Sequence, residues 1–100
     1  MNAQDFDGRT PLHVAAWGGR TQVAKLLLEH GADANTPSKA GYTPLHDAAL
    51  CGHTETAKLL VAHGAQVDAR NNDGETPSEV ATKRHFPKVA KLLRRHEGVT

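Results

Sequence analysis

Large aromatic side chains are scarce in this chain. Phe6, Trp17, Tyr42 and Phe86 are the only four in one hundred residues, which argues against a core built on stacked rings. A single cysteine, Cys51, rules out an internal disulfide and points to a reducing compartment, so the expected location is intracellular, in cytoplasm or nucleus. No apolar run approaches the ~18 residues of a membrane span, and the polar stretch Met1–Gly8 lacks the apolar segment of a signal peptide. No transmembrane segment is expected. Also missing are a nucleophile elbow, a phosphate loop and a dinucleotide fingerprint. Neither Cys-x-x-Cys nor His-Glu-x-x-His occurs. The scattered Asp, Ser and His stand at no spacing tied to a reaction. These absences argue against an enzyme, a cofactor and a metal centre.

What the chain has instead is repetition. Gly8-Arg9-Thr10-Pro11-Leu12-His13-Val14-Ala15-Ala16 returns 33 residues later as Gly41-Tyr42-Thr43-Pro44-Leu45-His46-Asp47-Ala48-Ala49. A degraded copy follows as Gly74-Glu75-Thr76-Pro77-Ser78-Glu79-Val80-Ala81. Residues 8–35 and 41–68 share 16 identities in 28 positions, far beyond coincidence at a fixed offset. Each threonine precedes a proline. Its hydroxyl can cap exposed backbone N–H groups, and the proline falls in the first helical turn, where its missing N–H costs nothing. Thr76 with Glu79 also reads as a capping box. Ala15, Ala16, Ala48 and Ala49 would let neighbouring helices approach closely. A second helix carries Ala24, Leu26 and Leu27, matched by Ala57, Leu59 and Leu60 and by Ala90, Leu92 and Leu93. Gly31 and Gly64 follow as stops. The spacing predicts helices over 11–17, 21–30, 44–51, 54–63, 77–84 and 87–96.

The 33-residue period and the Thr-Pro-Leu-His-x-Ala motif resemble the ankyrin repeat. The resemblance covers about Asp5 to His96. It implies an all-α solenoid of three helix-turn-helix units with short β-hairpin or turn fingers. The whole chain then forms one domain, with repeats at about 5–37, 38–70 and 71–100. About three units are needed for such a stack to be stable, so this chain sits near that floor. Repeat three departs from the pattern as an end cap would, with Ser78 and Glu79 in place of Leu and His. His85 stands in place of the glycine at Gly19 and Gly52. Repeat one carries no such solubilising change. A monomer, or a piece of a longer chain, is expected.

The seven histidines do not suggest a metal. His13 and His46 belong to the repeat motif, and the family resemblance implies that they bond within and between repeats. His30, His63 and His96 recur 33 apart at the ends of the second helices, where a histidine suits the terminal carbonyls and the helix dipole. Positions one repeat apart cannot share an ion whose ligand bonds are ~2 Å.

The resemblance further implies a concave surface formed by the fingers and the inner faces of the first helices. By position, repeat one contributes Phe6, Asp7, Arg9, Trp17 and Gly18. Repeat two contributes Lys39, Ala40, Tyr42, Leu50 and Cys51, and repeat three Asn72, Asp73, Glu75, Lys83 and Arg84. Trp17 and Leu50 should face each other across the groove. Trp17 is either a binding anchor or a shield over the end of repeat one. Asp47, where the other copies have Val14 and Val80, could meet a cation of a ligand peptide or form a local salt bridge. Asn35 resembles the finger asparagine that hydroxylases modify in this family.

The implied function is non-enzymatic binding of a protein or peptide partner on this face, with no cofactor. Charge supplies an alternative. Residues 83–100 carry a formal +5 and residues 1–82 a formal −4. That basic end is either a solvated cap or a docking patch for an acidic ligand: nucleic acid, anionic lipid or acidic protein. Nucleic acid is the least expected of these. A structural element of a larger protein is the remaining alternative.

Overall fold

The computed structural model describes residues 3–97. Six helices occur in it and, among those residues, no strand: α1 (Pro11–Trp17), α2 (Thr21–Glu29), α3 (Pro44–Cys51), α4 (Thr54–Ala62), α5 (Pro77–Lys83) and α6 (Pro87–Glu97). The first helices form one row, α1 on α3 and α3 on α5. The second helices form another, α2 on α4 and α4 on α6. The structure is thus the all-α stack of three helix pairs that the family resemblance implied.

Each first helix begins for the same reason. The hydroxyls of Thr10, Thr43 and Thr76 accept from the backbone N–H groups of His13, His46 and Glu79. The third residue of each helix then reaches back. Thr10 N donates to His13 Nδ1 at 3.0 Å, Thr43 N to His46 Nδ1 at 3.1 Å, and Thr76 N to Glu79 Oε1 at 2.8 Å. All three starts are therefore capping boxes, two of them with histidine where the usual rule has Glu or Gln. A histidine that accepts at Nδ1 carries its proton on Nε2. That Nε2 donates to the next repeat, from His13 to the Tyr42 carbonyl at 2.7 Å and from His46 to the Glu75 carbonyl at 2.8 Å. One ring thus caps its own helix and ties down the following finger. Burial depresses both histidine pKa values below the ordinary range, which favours the neutral form that this geometry needs.

The core is a line of equivalent side chains. Leu12, Leu45, Leu60 and Leu93 are fully buried, with Ala15, Ala16, Ala48, Ala49 and Ala81 between them. The small residues let α1, α3 and α5 lie close. The fingers are single turns rather than β-ribbons. They are closed by Asp5 N to the Arg9 carbonyl (2.9 Å), Ser38 N to the Tyr42 carbonyl (2.8 Å) and Asn71 N to the Glu75 carbonyl (2.9 Å). Successive fingers are joined by Lys39 N to the Asp7 carbonyl (2.8 Å) and Asn72 N to the Ala40 carbonyl (3.0 Å).

One expectation for repeat three is corrected. Ser78 is not a solvated cap residue. It is buried, and its hydroxyl lies 3.2 Å from that of Thr76. His85 adopts φ 66°, the one non-glycine residue in the left-handed region among those described. Its counterparts Gly19 and Gly52 have φ 68° and 72°. A side chain there is strained by ~1 kcal/mol, partly offset by the greater unfolded-state freedom of glycine. His85→Gly is therefore expected to raise stability by at most about 0.5 kcal/mol in chemical denaturation. A loss of stability would show that the imidazole makes a compensating contact.

Candidate binding face

Beside the first two fingers and the first helices lies a cavity of about 490 Å³, lined by Asp7, Arg9, Trp17, Ser38, Lys39, Ala40, Tyr42, Asp47 and Leu50. All but Ser38 are residues that position in the repeat singles out. Trp17 and Leu50, at the C-terminal ends of α1 and α3, share the cavity wall. Trp17 is 53% exposed, so it does not fold away into the protein. Its carbonyl accepts from His53 Nε2 at 3.0 Å, which anchors its backbone to repeat two. Tyr42 is half-buried and held twice. Its carbonyl takes the His13 bond, and its ring packs on the His46 ring at a centroid distance of 5.4 Å, tilted by 57°. The walls are thus ordered by the same contacts that order the scaffold.

Asp47 forms the cavity's buried acid. It is 1% exposed, and its Oδ2 lies 3.3 Å from Nη2 of Arg9, which is 26% exposed. The contact is an ion pair lacking hydrogen-bond alignment, since Oδ2 has no hydrogen-bond partner. Burial pushes the Asp47 pKa up to about 6, although Arg9 pulls the other way. Loss of hydration here outweighs an imperfectly aligned counter-ion.

The remaining predicted residues do not line this cavity. Phe6 is 94% exposed at the edge of the first finger. Cys51 is half-buried, and burial, followed by the Asp47 charge, raises its thiol pKa. That makes it a weaker nucleophile at neutral pH. Asn72 donates from Nδ2 to the Lys39 carbonyl at 2.7 Å, a bond between fingers. Glu75 accepts from Asn71 and pairs with Lys83 at 3.3 Å. Asp73 and Arg84 are exposed outside the cavity. Asn35 spans two repeats, Nδ2 donating to the Gly64 carbonyl at 3.1 Å and Oδ1 accepting from Gln66 N at 2.8 Å.

A second cleft, of about 760 Å³, lies where α4 meets α6. Lys58, Lys88, Lys91 and Arg95 line it, with Glu55 as the acid and Leu92 as an apolar patch. The sequence suggests a basic surface over residues 83–100. The structure brings Lys88, Lys91 and Arg95 of that stretch into the cleft, because they share one face of α6 at helical spacing, and leaves Lys83 and Arg84 outside it. That spacing is readable from the sequence. The contribution of Lys58 from another repeat is not.

Comparison with known proteins agrees with the geometry. A family model described as "Ankyrin repeats (many copies)" matches residues 27–81, and one described as "Ankyrin repeat" matches residues 7–39. The chain is 51% identical over 39 residues to "Serine/threonine-protein kinase VIK" of Arabidopsis thaliana, covering 39% of this chain and 9% of the kinase. It is 39% identical over 41 residues to "Protein phosphatase 1 regulatory subunit 12A" of Mus musculus, covering 41% of this chain and 4% of that subunit. It is 50% identical over 40 residues to "Zygote-specific protein 3" of Chlamydomonas reinhardtii, covering 39% of this chain and 11% of that protein. The chain thus spans about a tenth or less of these relatives, and the match to the kinase is far too short to hold a catalytic domain. Ankyrin repeats are in general non-catalytic protein-interaction modules. With the period, the Thr-Pro-Leu-His caps and the stacked helix pairs all in place, the chain belongs to the ankyrin repeat family.

Proposed function

We propose that the concave cavity binds a segment of a protein partner. Trp17 and Tyr42 serve as apolar anchors, and the Arg9–Asp47 pair as a polar floor. The observation that carries this reading is a half-exposed tryptophan on the wall of a preformed cavity that Leu50 and Tyr42 also line. Aromatic side chains in such positions dominate binding energy at interfaces. The bonds from His13 and His53 order the walls before a ligand arrives, so little freedom is lost on association. Asp47 supports the same reading. An acid kept in a buried place where the other copies carry valine costs stability, and a role in recognition accounts for its retention.

A second reading follows from the α4–α6 cleft. Lys88, Lys91 and Arg95 have no acidic partner within ion-pair distance among the described residues, so an acidic protein segment would find unpaired cations there. A recessed cleft with an apolar patch suits a peptide better than a lipid surface.

One experiment separates the two readings. The chain and its Trp17→Ala/Tyr42→Ala variant are used to capture partners at low and at moderate salt. The concave-face reading predicts that the variant loses its partner, with affinity lower by ~2 kcal/mol or more and a melting temperature close to that of the parent. Capture that survives in the variant but fades steeply with salt supports the α4–α6 cleft instead. A change confined to melting temperature makes Trp17 a shield and overturns the concave-face reading.

A further inference from the structure

The two ends of the stack differ in kind. In repeats two and three, the positions facing the preceding repeat are buried. Asp47 and Val80 on the first helices are 1% and 2% exposed, and Thr56 and Val89 on the second helices are each 1% exposed. Leu59 and Leu92 pack against the core. The same three positions in repeat one are Val14, Val23 and Leu26, exposed by 58%, 46% and 57%. All three are apolar, whereas an end that faces water has polar residues at such positions.

The backbone shows the same asymmetry. The Tyr42 carbonyl accepts two bonds, from Ser38 N and from His13 of the preceding repeat. The Glu75 carbonyl accepts two, from Asn71 N and from His46. Among the described residues the equivalent Arg9 carbonyl accepts one, from Asp5 N. Lys39 N and Asn72 N each donate to the preceding finger. The equivalent Phe6 N has no hydrogen-bond partner among the described residues. An apolar face, one spare lone pair and one spare N–H are what a preceding repeat satisfies at both inner interfaces.

We propose that the outer face of α1 and α2 is a stacking interface for another ankyrin-type repeat, lying ahead of Asp5 in the parent polypeptide. The proposal is independent of the concave-face reading. One feature identifies the occupant as a repeat with an inner-type trailing face. It must present a histidine to the Arg9 carbonyl, as His13 and His46 do to their neighbours. A second copy of this chain does not supply one head to tail, since its own trailing face carries Glu79 at that place.

The test joins residues 38–70 directly ahead of Asp5, so that the Arg70–Asp5 junction reproduces the native step from Arg70 to Asn71. The extended chain is expected to melt in one transition, at least about 5 °C above the parent, with the Phe6 amide newly protected from hydrogen exchange. Val23→Glu with Leu26→Glu should abolish that gain while leaving the unextended chain's melting temperature within about 2 °C, because both side chains are exposed in it. Two separate transitions, or an unprotected Phe6 amide, would overturn the proposal. So would sedimentation equilibrium showing the unextended chain to be a dimer that the same two substitutions dissociate, which would make a second copy the occupant.

Discussion

Asp47→Val is expected to stabilise the protein by about 2 kcal/mol at pH 7. Burial raises the Asp47 carboxyl from an ordinary 3.8 to about 6, against the pull of Arg9. At about 1.4 kcal/mol per pH unit, a displacement of that size sets a ceiling of about 3 kcal/mol on the cost of keeping it ionised in the folded state. The sign follows from proton binding. The folded chain holds this proton more tightly than the unfolded chain, so Asp47 favours folding below about pH 4 and loses that advantage as the pH rises through about 6. Valine fits because Val14 and Val80 occupy the equivalent places, and Val80 is as buried as Asp47. Arg9, at 26% exposure, can turn to water once its partner is gone. The advantage of the variant should be largest at pH 7 and above and shrink toward pH 4. His13 and His46 act in the opposite sense. Their depressed pKa values stabilise the fold above about 6.5, and that contribution is lost as the pH falls. The variant should therefore lose stability on acidification more steeply than the parent. Urea titrations of both chains at pH 7 and pH 5 measure this. A variant less stable at pH 7, or a gap independent of pH, would mean that the Arg9 pair outweighs the burial of the carboxylate.

Leu45→Ala should cost about 3 kcal/mol and lower the melting temperature by about 15 °C. Leu45 is fully buried in α3, which packs on α1 on one side and α5 on the other. Neither neighbour can close the hole without giving up contacts in its own repeat. A domain of this size has about 5–15 kcal/mol in all, and three repeats are near the minimum for a stack, so the loss is a large share. Leu26→Ala provides the contrast. It removes the same atoms from a side chain 57% exposed and should change stability by no more than about 0.5 kcal/mol. Calorimetry of the two variants decides the matter. Equal effects would contradict the assignment of Leu45 to the shared core and Leu26 to the open end.

The fold was legible because the physics repeats with the sequence. Thr-Pro at a helix start and alanine where helices approach recur every 33 residues, and α1 and α3 have the bounds that this pattern implied. The other helices end within one residue of expectation, as fraying ends do. Contacts that break the period were not legible. Arg9 reaches Asp47 in the next repeat, and nothing in either residue announces the pair. Ser78 looked polar and therefore exposed, but Thr76 gives its hydroxyl a buried partner. The resemblance implied that His13 and His46 bond within and between repeats, as they do; that the inner bond closes a capping box was not read, because the familiar form uses Glu or Gln. The lining of the cavity was partly legible. Position in the repeat singles out Asp7, Arg9, Trp17, Lys39, Tyr42, Asp47 and Leu50, which line one cavity. Asn72, Glu75 and Lys83 lie outside it, and their polar groups bond to neighbouring residues and between fingers.

The central claim is that recognition occurs on the concave side. Site-specific photo-cross-linking tests it whatever the partner is. A photoreactive phenylalanine analogue is placed at Tyr42 on the cavity wall or at Glu29, exposed on α2 and outside the cavity. Irradiation in the native cell should yield a discrete protein adduct from position 42 and none from position 29. Adducts from position 29 with none from position 42 would contradict the account.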